Sequence, residues 1–320
     1  MKPKNKTLLA AAIFASALAS CANAQDVISL PDAAFAPEGI SADADGALYV
    51  GSITQGRLVR MNAATGAVRD FVAAGANRMV SVIGVHASGD LVYACSSDPG
   101  VGVLTGSAPP ALVAFDRRTG ASAGRYELPA GGTFCNDIAE LPDGTILATD
   151  SFTPRIYSLK PGADALEVWL EDQQFVGEGF NLNGIAYADN HVFVLRFNTG
   201  TMHRIAVLAD GSAGAVSEVA LPRPVAGADG LNALGGGRFL IVEGGGLKAG
   251  DRGALLGVTL SGDAATLDMI APDLNIPTTA VVVDGVAYVV EGQLDHLFDE
   301  NAGPADPYRI LAIALPAAYR

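Results

Sequence analysis

The sequence predicts an all-β chain folded as a six-bladed β-propeller, with strands from the two ends of the chain closing the last blade. Three observations predict it. Long amphipathic stretches with a 3.6-residue period are absent, while 38 glycines and 17 prolines break the chain every few residues. Between these breaks lie short, β-branched apolar runs at 47–50, 57–61, 91–95, 145–149, 192–195, 238–242 and 286–290, the pattern of many strands joined by turns. Finally, a short motif recurs in register. Glu38-Gly39-Ile40 followed by Asp45-Gly46 aligns with Asn136-Asp137-Ile138 followed by Asp143-Gly144. Ile83-Gly84, Asn183-Gly184, Asp229-Gly230 and Thr279-Ala280 open the other units. The anchors at 38, 83, 136, 183, 229 and 279 are spaced by 45, 53, 47, 46 and 50 residues. A period of that length, holding about four strands, is the signature of propeller blades.

The first unit shows how each blade is built. An inner strand at 39–42 is turned by Asp45-Gly46 into a second strand at 47–51. A reversal at 54–56 leads to a third strand at 57–62, and Thr65-Gly66 turns the chain into an outer strand at 67–73. The Asp-Gly and Thr-Gly pairs supply the positive φ that tight hairpins need. The last unit lacks a strand after 308–315, and 27–30 can supply it, which closes the ring and removes an open edge.

Residues 1–24 read as an export signal and 25–320 as the propeller. Lys2, Lys4 and Lys6 precede an apolar run that ends near Ala19, and Ala22-Asn23-Ala24 fits a cleavage site. Leu18-Ala19-Ser20-Cys21 also fits lipoprotein processing, which would leave a lipid anchor on Cys21. Both readings make the mature chain periplasmic or secreted, and the apolar run is too short for a membrane span. The net charge of −14 excludes nucleic acid and anionic membrane surfaces as natural partners. Outside the leader the cysteines are Cys95 and Cys135. The first ends the second strand of blade two and the second opens blade three, so a bridge is feasible, and the sequence leaves its formation open.

In a propeller the innermost strand of every blade starts at one end of the central channel, so the six anchors should converge. Glu38, Asn136, Asn183 and Asp229 then aim two carboxylates and two carboxamides at one centre, with Ile83 and Thr279 beside them. Such a hard, oxygen-rich set suits Ca2+ or another divalent cation better than zinc or copper. Any one of these residues before a glycine could be an ordinary turn former. Four in register on different blades favour a site, and a cation offsets the cost of confining Glu38 with Asp229.

These motifs, Pro37-Glu38-Gly39, Asn136-Asp137, Asn183-Gly184 and Asp229-Gly230 within this repeat, resemble the senescence marker protein / gluconolactonase / luciferin-regenerating enzyme family over essentially the whole mature chain. More distantly the chain is similar to paraoxonases and strictosidine-synthase-like propellers. The resemblance implies a calcium-dependent hydrolase of a small lactone or ester. It makes Glu38, Asn183 and Asp229 metal ligands, Asn136 a ligand or substrate-orienting residue, and Asp229 also a general base or water-positioning carboxylate. Two positions depart from the pattern. Phe134 stands where sugar-lactonase members carry a substrate-contacting arginine, so an apolar lactone or ester is as consistent as a sugar lactone. Ile83 stands near the place of the paraoxonase-type catalytic histidine, and His86, three residues on, reads as a strand or core residue.

The loops that ring the metal end, 96–110, 244–251 and 293–307, add His296 as a pocket candidate beside Asp295 and Asp299. Glu291, Arg196 and Asp150 end other second strands and could line the entrance. The triple-glycine runs at 235–237 and 244–246 lack the helix and lysine of phosphate loops. His191 and His203 read as surface positions. Because propellers host many functions, a non-catalytic binding propeller with a structural calcium is the competing expectation.

Overall fold

The computed structural model describes residues 26–320, and the leader with Cys21 and the cleavage sites lies outside the described residues. Six four-stranded antiparallel sheets make up the described chain. Five of them are simple meanders in chain order, because each turn places the next strand beside the last. Blade one comprises Pro37–Ala42, Ala47–Ser52, Leu58–Asn62 and Val68–Val72, each within two residues of the sequence expectation. Gly46 and Gly66 sit at its turns with φ of 76° and 68°, a conformation that side chains strain to adopt.

The sixth blade is assembled from both ends of the described chain. Pro277–Val283, Val286–Glu291 and Arg309–Ala314 are completed by Asp26–Ser29, in the register Val27↔Leu311 and Ile28↔Ile310. The neighbouring inner strands touch in cyclic order, with Pro37–Ala42 meeting Pro277–Val283, and the ring is closed.

Apolar side chains alternate between the two faces of each blade and fill the wedges between blades. Leu58, Val72, Val92, Val113 and Phe115 are fully or almost fully buried between blades one and two. Ile156, Phe175, Ile185 and Ile205 do the same between blades three and four. Each such side chain contributes about 1.5–3 kcal/mol by leaving water. Every blade therefore buries apolar side chains against its neighbours, which fixes the channel geometry.

Candidate functional site

The inner strands carry a repeated irregularity where the anchors lie. In five blades the pairing of inner and second strand skips two residues: between Pro37 and Ile40, Cys135 and Ile138, Leu182 and Ile185, Ala228 and Leu231, and Pro277 and Ala280. A bulge of this kind re-aims a side chain and sharpens the local twist. The skipped pairs are Glu38-Gly39, Asn136-Asp137, Asn183-Gly184, Asp229-Gly230 and Thr278-Thr279. The first residue of each of the four polar pairs turns into the channel, where Glu38, Asn136, Asn183 and Asp229 line one pocket with Ile83.

The second residue of each pair packs against the next blade. A Cβ on Gly39 would stand 2.2 Å from the Ile83 carbonyl oxygen, and one on Gly184 would stand 2.2 Å from that of Asp229. These glycines have no positive φ, so they serve close approach rather than turning. Blade three has Asp137 instead. Its Oδ1 accepts from Ile138 N (2.8 Å) and its Oδ2 from Ile185 N of the next blade (3.1 Å). In blade six the same register makes Thr278 the counterpart of Glu38, and Thr279 packs on Gly230 away from the pocket wall. Blade six has the two-residue turn Asp284-Gly285 where blade one uses four residues between Ala42 and Ala47, but its inner strand runs one residue further before the turn. The shorter turn points to Thr279, and the longer strand makes it Thr278. Thr278 is fully buried, and its hydroxyl donates to the Glu38 carbonyl oxygen (2.8 Å), tying blade six to blade one.

A second repeated device holds the anchors in place. The side chain that ends the second strand folds back on the segment entering the inner strand. The Ser52 hydroxyl donates to the Phe35 carbonyl oxygen. Asp150 accepts from Thr133 N (2.8 Å) and Phe134 N (3.2 Å), Arg196 Nε donates to Asn181 Oδ1 (2.7 Å), and Glu243 accepts from Ala226 N (2.9 Å). Glu291 accepts from Asn275 N (2.8 Å) and from Arg309 Nε. Glu291 is thus a latch at the sheet end and does not line the pocket. His296 is also off the pocket wall, because its Nδ1 is held by the Gly303 carbonyl oxygen (2.6 Å) on its own loop. His86 is half-buried beside Glu140 (3.4 Å), whereas His203 is buried against Phe175 and is not a surface residue. Cys95 and Cys135 are disulfide-bonded, and the Ser97 hydroxyl donates to the Cys135 carbonyl oxygen (2.9 Å). The segment Phe134-Cys135-Asn136 is thereby fixed to blade two.

The electrostatics of the pocket floor are unbalanced. Burial raises the Glu38 carboxyl well above the usual carboxylate range, and the charges of Asp229 and Asp137 raise it further. Burial and Asp137 do the same to Asp229, against a hydrogen bond from Asn183. Burial also pushes Asp137 up to about 6 despite its backbone donors. No lysine or arginine is part of the pocket wall among the described residues. Asn136 Nδ2 donates to Ser151 Oγ (2.8 Å), so its amide oxygen is the atom left for the channel. Among the described residues no three His, Cys, Asp or Glu side chains are grouped to hold a metal. The convergent set is instead two carboxylates with two carboxamides, and hard oxygen donors with uncompensated negative charge fit Ca2+.

Above this floor the wall is apolar. Phe134 packs edge-on against Phe152 (5.3 Å between ring centres) and Phe180 (5.6 Å), and Phe180 meets Phe197 (6.2 Å). Leu247, Leu294 and Phe298 also line this space of about 420 Å³, which includes its open mouth. Phe134, singled out by the sequence, does line the pocket, whereas Asp137, Thr278 and the rings Phe152, Phe180 and Phe197 are not singled out by it. Asp137 is legible as the one acidic residue at a position where four other blades have glycine. Phe152, Phe180 and Phe197 come from three separate loops and share no motif.

A family model described as strictosidine synthase-like, N-terminal, matches residues 23–61, the stretch that carries Glu38 and most of blade one. A comparison with curated proteins gave no match. Among solved structures, a luciferin-regenerating enzyme superposes with a TM-score of 0.67 at 11% identity, covering 93% of this chain and 97% of that one. A gluconolactonase from Xanthomonas campestris gives 0.61 at 15% identity, covering 91% and 90%. Virginiamycin B lyase from Staphylococcus aureus gives 0.56 at 13% identity, covering 91% and 99%. At these identities the likeness is one of fold. The matched proteins include gluconolactonases and a luciferin-regenerating enzyme. No helix among the described residues is long and apolar enough to cross a membrane.

Proposed function

We propose that the chain is a hydrolase of a small lactone or ester, working in the periplasm or after secretion, with Ca2+ held by Glu38, Asn136, Asn183 and Asp229. The observation that supports this most is the convergence of two carboxylates and two carboxamides from four blades on a floor with no basic side chain among the described residues. When bound, the cation supplies Lewis-acid polarisation of a carbonyl group and stabilises negative charge developing on its oxygen.

The chain's own residues do the rest. Asn183 stands beside the Asp229 carboxylate and favours its charged form. Asp229 then orients a water toward the carbonyl carbon and takes one of its protons. That proton passes to the departing alkoxide, so water is consumed and an acid and an alcohol leave, joined as one hydroxy acid when the substrate is a lactone. The amide oxygen of Asn136, left for the channel by the bond to Ser151, adds a neutral donor that keeps the floor from becoming more anionic. The phenylalanine wall shields the floor from bulk water, which strengthens every charge interaction there.

A panel of lactones and aryl esters, run with and without chelator, tests this reading. Hydrolysis should vanish with chelator and return with calcium, and Asp229→Asn should cut turnover at least a hundredfold with the circular dichroism spectrum unchanged. A calcium-loaded protein that leaves the whole panel untouched would instead be a binding propeller with a structural ion.

A further inference from the structure

Glu38, Asn136, Asn183 and Asp229 are the polar members of the pocket wall, and all four sit at its floor. Every other lining side chain among the described residues is apolar; the rings of Phe134, Phe180 and Phe197 form one contiguous face, and Phe152 packs against the first two from beside it. Phe134 meets Phe152 and Phe180 with interplanar angles of 79° and 80°, so edges and faces are both presented, the geometry in which a further ring packs well. The face is held before any ligand arrives. The Asp150 carboxylate accepts from Phe134 N (3.2 Å), Phe152 N (3.1 Å) and Thr153 N (3.2 Å), with Tyr157 OH behind it (3.1 Å). The disulfide at Cys135 secures the residue next to Phe134.

From this arrangement we infer that the phenylalanine face is a subsite for an aryl or compact alkyl group joined to the hydrolysable carbonyl, and that polyhydroxylated substrates are rejected. The inference rests on the hydrolytic reading of the floor and narrows it to a substrate class. A sugar lactone would press several hydroxyls against rings that offer them no partner. Each hydroxyl stripped of water in that way weakens binding about tenfold. An aryl group loses nothing comparable and gains by leaving water.

Binding of hydrolysis-inert amides tests the subsite apart from catalysis. Calorimetry of the chelator-treated and calcium-loaded protein would compare 4-phenylbutanamide with gluconamide. The phenyl amide should bind in both states at least tenfold more tightly than gluconamide. Phe180→Ser and, separately, Phe197→Ser should each weaken it about tenfold while the melting curve shows a folded protein. Val103→Ser, on the exposed loop at 96–110, should leave it unchanged. Gluconamide binding as tightly as the phenyl amide, or unchanged phenyl affinity in both folded phenylalanine variants, overturns the inference. Tight phenyl binding without turnover of phenylbutanoate esters would sink the hydrolytic reading and leave the subsite standing. Ester hydrolysis with a preference for gluconamide would do the reverse.

Discussion

Replacing Gly184 by alanine isolates the close approach that brings the anchors together. Gly184 is not in the left-handed region, so alanine meets no backbone strain there. In the unfolded chain the extra methyl removes conformational freedom, which on its own stabilises the fold by about 0.4–1 kcal/mol. The native neighbours oppose it. The new Cβ would stand 2.2 Å from the Asp229 carbonyl oxygen and 2.7 Å from Leu231 N. Both are backbone atoms of an inner strand, so relief requires the strand of blade five to move by about 1 Å. Overpacking of this kind costs about 3 kcal/mol. The net loss is then about 2–3 kcal/mol, or roughly 5 °C in melting temperature on the scale of domains this large. Gly303 is the control, because it also lacks a positive φ and a Cβ there has no neighbour within 4 Å. Scanning calorimetry of Gly184→Ala and Gly303→Ala beside the parent is the assay. A Gly184→Ala protein that melts at or above the parent would refute the close-approach argument, as would equal losses in both variants.

Three further outcomes are expected. Burial works to raise the Asp43 carboxyl, but the N–H of Ala47, Arg117, the Tyr49 hydroxyl and the N–H of Asp45 outweigh it and hold it below its ordinary range. Its stabilisation is therefore full above the unfolded carboxylate pKa and lost as pH falls through the lowered one. Asp43→Asn should cost about 2 kcal/mol near neutrality, with the gap to the parent closing below about pH 4 in denaturant titrations. Asp150→Asn turns an amide N–H2 toward groups that already donate, so in steady-state kinetics KM should rise severalfold while kcat changes by less than about twofold. Joint replacement of Cys95 and Cys135 by alanine opens a loop of 40-residue separation, which should cost about 4 kcal/mol by loop-closure entropy and be read as a lower urea midpoint.

The blade count and the site came through to different depths in the sequence. Asp-Gly and Thr-Gly turns are local chemistry, so Gly46 and Gly66 mark their hairpins without knowledge of the rest of the chain. The N-terminal strand belongs to the last blade because a propeller with an open edge is costly, and Asp26–Ser29 pairs there. The anchors themselves were legible as a period, but the reason for their geometry was not. A bulge is a mismatch between two strands, and nothing in Thr278-Thr279 alone says which of the two faces the channel. The glycines after Glu38, Asn183 and Asp229 suggested turns, while their function is steric and involves atoms about 46 residues away. Glu291 and Asp150 are legible as polar ends of second strands. Their role as latches depends on the register opposite Pro277 and Cys135, which only the paired sheet displays.

Direct titration of the chelator-treated protein with calcium is the measurement closest to the central claim. One ion per chain should bind, raise the melting temperature, and do so at least tenfold more weakly in Glu38→Gln. Without calcium, Glu38→Gln should melt no lower than the parent, since it removes one of two buried carboxylates that repel each other. An absence of binding to the parent protein, or undiminished binding to Glu38→Gln, would contradict the account.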